Sequence, residues 1–433
     1  MFCGNCLRDN ALVAALRTLG HDVLMVPLYL PLTLDEVDQS AGTPVFFSGI
    51  NVYLEQSAAW FRKSPRWLHH LLASPLLLKW AARRSANTQA GTLGPVTLSM
   101  LRGEAGNQAR ELEDLIAWLL AQPKPDAIFL SNALLLGMAR RLRAALDRPV
   151  VCMLQGEDYF LDSLPEPHRS ACWTTLAQRA KDADLFIAPS RYFADLMARR
   201  LGLPAEKMRV VYNGINLTGY ERTEFPVGDE KQGKSVPVLG YLARMCREKG
   251  LDTLVQAFIL VRQRGRLPGL KLAIAGSFGP SDERFVRKLK TQIEAAGLTT
   301  EVEFHPNVDR DTKLRLLRSF SVFSVPARYG EAFGLYVIEA LAAGVPVVQP
   351  RSAAFPELIE LTGGGVLNRP EDAEDLANTI EALMLDPNRA RKLGAMGRKV
   401  TFEKLSAEAM ARDVIAAVKS MHQPENRLLR TAD

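Results

Sequence analysis

Two glutamates eight positions apart, Glu331 and Glu339, bracket the run Ala-Phe-Gly-Leu-Tyr-Val-Ile, with a strand-like stretch from Phe323 to Ala327 ahead of it. Gly334 stands where a helix should begin, so the first helical amides, those of Leu335 and Tyr336, lack partners inside the helix and can point at phosphate oxygens. Glu339 shares a helix face with Leu335, four residues away, and a carboxylate there can accept both hydroxyls of a vicinal diol such as a ribose. Glu331 precedes the helix, in a loop that can face a sugar. A second cluster runs from Gly240 to Gly250 and sets Arg244 and Lys249 across one turn, between an apolar strand and a helix starting near Leu251. Cations fixed there stabilise the charge on a departing nucleoside diphosphate without a metal. At about 4 Å and an effective dielectric near 20, each contact contributes roughly 4 kcal/mol before desolvation. Either cation alone reads equally as an ordinary surface charge; the four residues together read as a sugar-nucleotide site.

At these residues the chain resembles glycosyltransferase family 4, retaining enzymes of the GT-B fold. The resemblance continues in order along most of the chain: Leu7 to Val23, like the family's first helix; Ile187 to Ser190; Val211 to Asn216; and Phe355 to Ile359. It implies a donor nucleotide held by the second domain, with Arg244 and Lys249 on the pyrophosphate, Glu339 on the ribose, and Glu331 with the backbone of Phe333 and Gly334 on the transferred sugar. Gly4 and Asn5 would occupy the family's phosphate-facing loop. Retention of anomeric configuration follows from the resemblance and not from any spacing.

Two departures from the family pattern bear on chemistry. Where members often carry a histidine facing the sugar, this chain has Gln155, followed by Gly156, Glu157 and Asp158. A glutamine donates and accepts hydrogen bonds but is no general base. It reads as holding a sugar hydroxyl or as capping the strand end, and Glu157 and Asp158 as candidates for binding the acceptor. Ala353 and Ala354 stand where paired glycines are common, so added methyl groups restrict how closely backbone approaches a ligand. Asn216 replaces a common aspartate. No metal centre or cofactor is expected. Asp309 and Asp311 read as helix-cap residues, Asp182 and Asp184 precede a strand instead of following one, and six histidines show no ligand spacing.

The elements that must position these groups alternate between apolar strands and amphipathic helices, the pattern of parallel sheets wrapped by helices. In the first half, strands are expected at Val23 to Pro27, Ala127 to Leu130, Val150 to Leu154 and Leu185 to Ala188, with helices near 7 to 19, 133 to 146, 169 to 181 and 191 to 201. The second half repeats the scheme at Val238 to Leu242, Leu270 to Ala275, Val302 to Phe304, Ser321 to Val325 and Val345 to Val348. The expectation is an α/β chain of the GT-B type, two doubly wound Rossmann-like domains facing across a cleft. Residues 1–212 form the acceptor-side domain and 213–402 the donor-nucleotide domain, with 403–421 as a terminal helix crossing back and 423–433 as a fraying tail. The hinge falls at Asn213 and Gly214, followed by the polar stretch Thr218 to Ser235. The chain begins at the glycine loop with no strand ahead of it, so the first strand of the N-terminal domain is missing, and a start farther upstream or a truncated copy is expected.

With 433 residues the chain exceeds what one core usually serves. At 47% hydrophobic and 24% charged residues, it excludes a disordered or collagen-like protein. The net charge of +6 suits anionic partners but is modest for this length. No secretory signal opens the chain, its apolar runs are too short and interrupted to span a bilayer, and five cysteines fit a reducing compartment, so a cytoplasmic protein is expected. Cys3 and Cys6 imitate a redox pair but lack the surrounding pattern. The segment Ala58 to Arg84 mixes Trp60, Phe61, Trp67 and Trp80 with arginines and lysines. It reads either as an interfacial helix on anionic lipid or as a helical cover packed on the first domain.

The leading functional reading is transfer of a hexose-like unit from a nucleoside-diphosphate sugar to a glycan or lipid-linked acceptor, with peripheral membrane contact through 58–84 as an added possibility and no nucleic acid as partner. The competing readings are a sugar-nucleotide epimerase and a degenerate transferase kept as a binding or assembly module. Base, sugar, acceptor and oligomeric state are not legible.

Overall fold

The computed structural model describes residues 4–28, 36–47, 90–221 and 236–421. The segment Ala58 to Arg84, the tail 423–433, Cys3 and most of the polar stretch after Thr218 lie outside the described residues. By internal contact the chain divides into two units, one of residues 5–212 and 411–433 and the other of 1–4 and 213–410.

The first unit opens on helix α1 (Gly4–Thr18), continues through α2 (Ala90–Arg102) and α3 (Ala109–Leu120), and then alternates strand and helix. The order is β1 (Ile128–Leu130), a 3-10 stretch leading into α4 (Ala139–Leu146), β2 (Val150–Met153), α5 (Glu157–Asp162), α6 (His168–Arg179), β3 (Leu185–Ala188), α7 (Arg191–Leu201) and β4 (Met208–Val210). The four strands form a parallel sheet in sequence order. All residues of β2 and β3 are buried, as a sheet covered on both faces requires. Two expectations fail here. Residues 23–27 form no strand; Leu24 is half exposed, so the run lacks the burial that makes an apolar pentapeptide pair. Gly4 and Asn5 lie in the first turn of α1 and not in a loop ahead of it.

The second unit contains β5 (Val238–Leu242), α8 (Leu251–Arg264), β6 (Lys271–Gly276), α9 (Glu283–Ala295), β7 (Val302–Pro306), α10 (Arg310–Ser319) and β8 (Val322–Phe323). After these come α11 (Leu335–Ala342), β9 (Val347–Pro350), α12 (Phe355–Thr362), β10 (Gly365–Asn368), α13 (Ala373–Met384) and α14 (Pro387–Lys404); the last helix, α15 (Ala407–Ser420), starts in this unit and from residue 411 is counted with the first. Its six strands are parallel in the order β10-β9-β8-β5-β6-β7. The chain reverses its direction of travel across the sheet between β5 and β8. In open parallel sheets a ligand crevice forms at that point, beyond the carboxyl ends of the two strands. The loops leaving β5 and β8 carry Arg244, Lys249 and Glu331.

Side-chain caps set several helix starts: Ser190 accepts from the Phe193 amide at 3.1 Å, Asp309 from Thr312 at 2.8 Å and Asp372 from Asp375 at 2.9 Å. Asp184 is buried and accepts from the Val150 amide at 3.0 Å, which ties β2 to the turn before β3. The helix expected over 403–421 is present as α15 but starts at Ala407, with Glu403 and Lys404 ending α14 instead. The extended link at Ile215 inserts against Leu405 to Ala407, with Ile215 N to Leu405 O at 3.0 Å and Ala407 N to Ile215 O at 2.9 Å. Backbone pairing with a strand-like segment draws those carbonyl and amide groups out of the helical ladder. Strand β10 and strand β4, unexpected from sequence, complete the two sheets.

Candidate active site

The loop after β5 is held open by backbone bonds to neighbouring segments: Ala243 N to Ala275 O at 3.1 Å, Met245 N to Ser277 O at 2.9 Å, and Arg328 N to Glu248 O at 3.0 Å. The last bond joins it to the loop after β8. At their closest point the two loops leave no room for a side chain. Gly250 has φ +69°, and a Cβ there would lie 1.9 Å from the Pro326 carbonyl oxygen.

Lys249 and Glu331 meet directly, Nζ to Oε2 at 2.6 Å. The ammonium also sits 4.8 Å from the Tyr329 ring centre and 4.9 Å from that of Tyr336, within cation–π range of both. The same Glu331 oxygen accepts from the Tyr336 hydroxyl at 2.7 Å and the Tyr329 hydroxyl at 3.1 Å. Burial pushes the Glu331 carboxyl up, but the Lys249 charge and the hydrogen bonds from Lys249, Tyr336 and Tyr329 outweigh it and hold the group below its ordinary range. Tyr336 moves the other way, well up, because it is buried beside that carboxylate. Its ring is wedged between Phe323 and Phe355, at 6.3 and 6.5 Å between centres.

Arg244 engages a different acid. Its Nη2 lies 2.8 Å from Asp282 Oδ1 and its Nε 3.2 Å from both oxygens, while Nη2 also donates to Ser281 Oγ at 3.0 Å. Asp282 is buried and Arg244 is partly exposed, so the guanidinium is fixed from below with an open outer side. The hydrogen bond to Asp282 raises the Arg244 pKa further above its already high value.

Helix α11 begins as expected. Gly334 has φ +94° and is buried, a backbone state costly for any residue with a Cβ. The amides of Leu335 and Tyr336 make no hydrogen bond among the described residues. Phe333 is buried, so its backbone and not its ring is what it can offer a ligand. Glu339, on the same helix, is paired to Lys313 of α10 at 2.9 Å. The loop bearing Glu331 is tied to the next element by Ala354 N to Glu331 O at 3.2 Å. There Ala353 adopts φ +52°, a left-handed conformation that glycine takes without strain.

In the first unit, Gln155 and Gly156 turn sharply after β2 into α5. Glu157 is buried and does not face outward. Its Oε1 accepts from the Ala133 amide at 2.7 Å and its Oε2 from the Gln155 and Gly156 amides at 2.9 and 3.0 Å. The carboxylate therefore shapes the turn that presents Gln155, which departs from an acceptor-binding role. Asp158 is also buried, with Oδ1 unpartnered among the described residues. Burial, reinforced by Glu157 and Asp162, pushes its carboxyl up to about 6.

Sequence reasoning found the backbone amide of Tyr336 but not its hydroxyl, and did not find Tyr329, Lys313 or Asp282. Tyr336 had a signal, since it lies inside the bracketed run, five positions after Glu331. Lys313 and Asp282 are 26 and 38 positions from their partners Glu339 and Arg244, and only the parallel sheet brings them close. Among the described residues no group of three His, Cys, Asp or Glu side chains is arranged to hold a metal, and no helix is long and apolar enough to cross a membrane.

Comparison with known proteins agrees with this geometry. The family description "Glycosyltransferase Family 4" matches residues 80–218, and "Glycosyl transferases group 1" matches residues 226–400. An uncharacterized glycosyltransferase of Methanocaldococcus jannaschii is 28% identical over 225 residues, covering 50% of this chain and 55% of that protein. A GDP-mannose-dependent alpha-(1-6)-phosphatidylinositol monomannoside mannosyltransferase of Mycolicibacterium smegmatis is 28% identical over 281 residues, 61% of this chain and 68% of its own length. The matched region thus spans between about half and two thirds of these relatives. Among solved structures, Anabaena HepE in complex with UDP superposes with a TM-score of 0.62 at 20% identity, covering 73% of this chain and 84% of its own. Sucrose-phosphate synthase from Thermosynechococcus elongatus gives 0.61 at 23% identity, covering 72% and 78%. With successive family descriptions meeting the two parallel-sheet units in turn, and GT-B folds as structural neighbours, this chain belongs to the family 4 type of GT-B glycosyltransferases.

Proposed function

We propose that the protein transfers a sugar from a nucleoside-diphosphate sugar to a glycan or lipid-linked acceptor with retention of configuration. The observation that carries this reading is the Lys249–Glu331 pair at the carboxyl ends of β5 and β8, beside a helix whose first amides are open. A diphosphate placed there meets the amides of Leu335 and Tyr336, the open side of Arg244 and the Lys249 ammonium. These groups are fixed before the ligand arrives, so they stabilise leaving-group charge with little reorganisation. In this reading the diphosphate charge is met by side chains and amides and no metal is called for. Glu331, ionised and locked by three donors, faces the transferred sugar, and Glu339 takes the ribose.

The reaction breaks the bond from the anomeric carbon to the diphosphate oxygen and forms one to the acceptor oxygen on the same face. The acceptor proton passes to the departing phosphate oxygen. Gln155, held at its turn by Glu157, binds a sugar hydroxyl, and Asp158 belongs to the acceptor side. A nucleotide-sugar donor is supported by the GDP-mannose-dependent relative.

The test is acceptor-dependent release of nucleoside diphosphate from a panel of UDP- and GDP-sugars, with the product's anomeric configuration read by NMR. Lys249→Ala and Glu331→Ala are expected to lower turnover by about two orders of magnitude, on the order of 3 kcal/mol of transition-state stabilisation each. Unchanged turnover in both variants overturns the assignment. Peripheral membrane contact through 58–84 belongs to the same reading, and flotation with anionic vesicles at low salt tests it.

A further inference from the structure

Lys313 is the fourth residue of α10, where a cation works against the helix dipole. Its side chain is only 12% exposed, a degree of burial that lysine rarely accepts unless paired. A partner is Glu339 Oε1 at 2.9 Å, on a side chain itself 18% exposed. Glu339 Oε2 accepts no hydrogen bond among the described residues. One carboxylate oxygen is therefore anchored and the other left for a ligand.

Charge makes the anchoring consequential. A donor site of the kind proposed above must hold a diphosphate, yet it contains two carboxylates, Glu331 and Glu339. Lys249 neutralises the first through a direct ion pair. Without a second cation, Glu339 would repel the diphosphate and its carboxylate would be free to rotate. We propose that Lys313 is a positioning residue of the donor site, which fixes the Glu339 carboxylate so that Oε2 accepts a ribose hydroxyl and cancels its charge toward the diphosphate. This inference rests on the donor-site reading of Glu339.

The experiment compares UDP and GDP with their 2′-deoxy counterparts by calorimetry on the full chain, in the wild type, Lys313→Met, Lys313→Arg, Glu339→Gln and the Lys313→Met/Glu339→Gln double variant. The wild type is expected to prefer the ribo form by about tenfold or more, the discrimination of one good hydrogen bond to a charged group. In Lys313→Met the preference should fall below about threefold, and Lys313→Arg should restore most of it. The double variant should bind much like Glu339→Gln alone, because the two residues act as one unit. A purely structural lysine would lower thermal stability and leave the ribo preference intact. Preference lost in Glu339→Gln but kept in Lys313→Met overturns the role of Lys313 and leaves the donor site standing. Preference kept in both variants, or no binding of either nucleotide by the wild type, overturns the donor-site reading and this inference with it.

Discussion

Glu331 draws three donors onto a single oxygen, and this concentration decides how the site responds to substitution and to acid. Removing the Tyr336 hydroxyl leaves the ring packed and deletes one bond to a charged group, so Tyr336→Phe should cost about 1.5–3 kcal/mol of stability by denaturant unfolding. The carboxyl is held below its ordinary range, so its contribution is fully present above the unfolded-state pKa and is lost as pH falls through the folded value. In Tyr336→Phe that value rises, and acid unfolding should begin at higher pH. Asp158 has the opposite sign. Its carboxyl is raised from 3.8 to about 6, so the folded state binds the proton more tightly and burial costs stability as pH climbs through that window. Asp158→Asn should therefore leave stability near pH 4 little changed and raise it by about 2–3 kcal/mol at pH 7, since each tenfold change in proton affinity corresponds to roughly 1.4 kcal/mol. A flat difference between the two proteins from pH 4 to 7.5 would show that the carboxyl titrates normally.

At the scale of elements, the site depends on loops whose backbones are over-determined. Gly250 lies where the loops after β5 and β8 touch, and Gly250→Ala adds both left-handed strain and a collision with the Pro326 carbonyl. A loss of at least about 2 kcal/mol is expected, because backbone and not a flexible side chain must yield. Ala353 supplies the reverse case. Its φ of +52° is strained for alanine, so Ala353→Gly relieves about 1–2 kcal/mol of steric cost and loses part of that to chain entropy. A net gain near 0.5 kcal/mol in thermal unfolding is expected.

For the whole molecule, two units with separate sheets and separate buried cores predict unfolding that is not two-state. Calorimetry should resolve two transitions, and a nucleoside diphosphate should raise one of them. Saturation at about 100 times the dissociation constant corresponds to roughly 2.7 kcal/mol. Hydrogen exchange should locate that protection in the loops 243–250 and 326–334 and in the first turn of α11. Equal protection throughout both sheets would argue against a donor site confined to the second unit.

Much of this was legible in the chain itself, because the features concerned are local. Buried strands such as Val150 to Met153 announce themselves by unbroken apolar runs, Asp309 by its place before a helix, and Gly334 by the backbone conformation it alone tolerates. The spacing of Glu331 and Glu339 around a helix start likewise marks the site without any knowledge of the fold. What lies beyond local pattern was settled by the tertiary structure. Residues 23–27 have strand composition but no strand neighbour among the described residues, and the chain leaves the helix at Leu405 because Ile215, distant in sequence, takes its hydrogen bonds. Glu157 looked like a ligand-binding acid until three amides from two segments closed around it. Tyr329 and Tyr336 on Glu331, Asp282 under Arg244 and Lys313 on Glu339 were decided in the same way. Ion pairs and hydrogen bonds act over a few ångströms, and only the order of strands in a parallel sheet determines which distant residues come within that range.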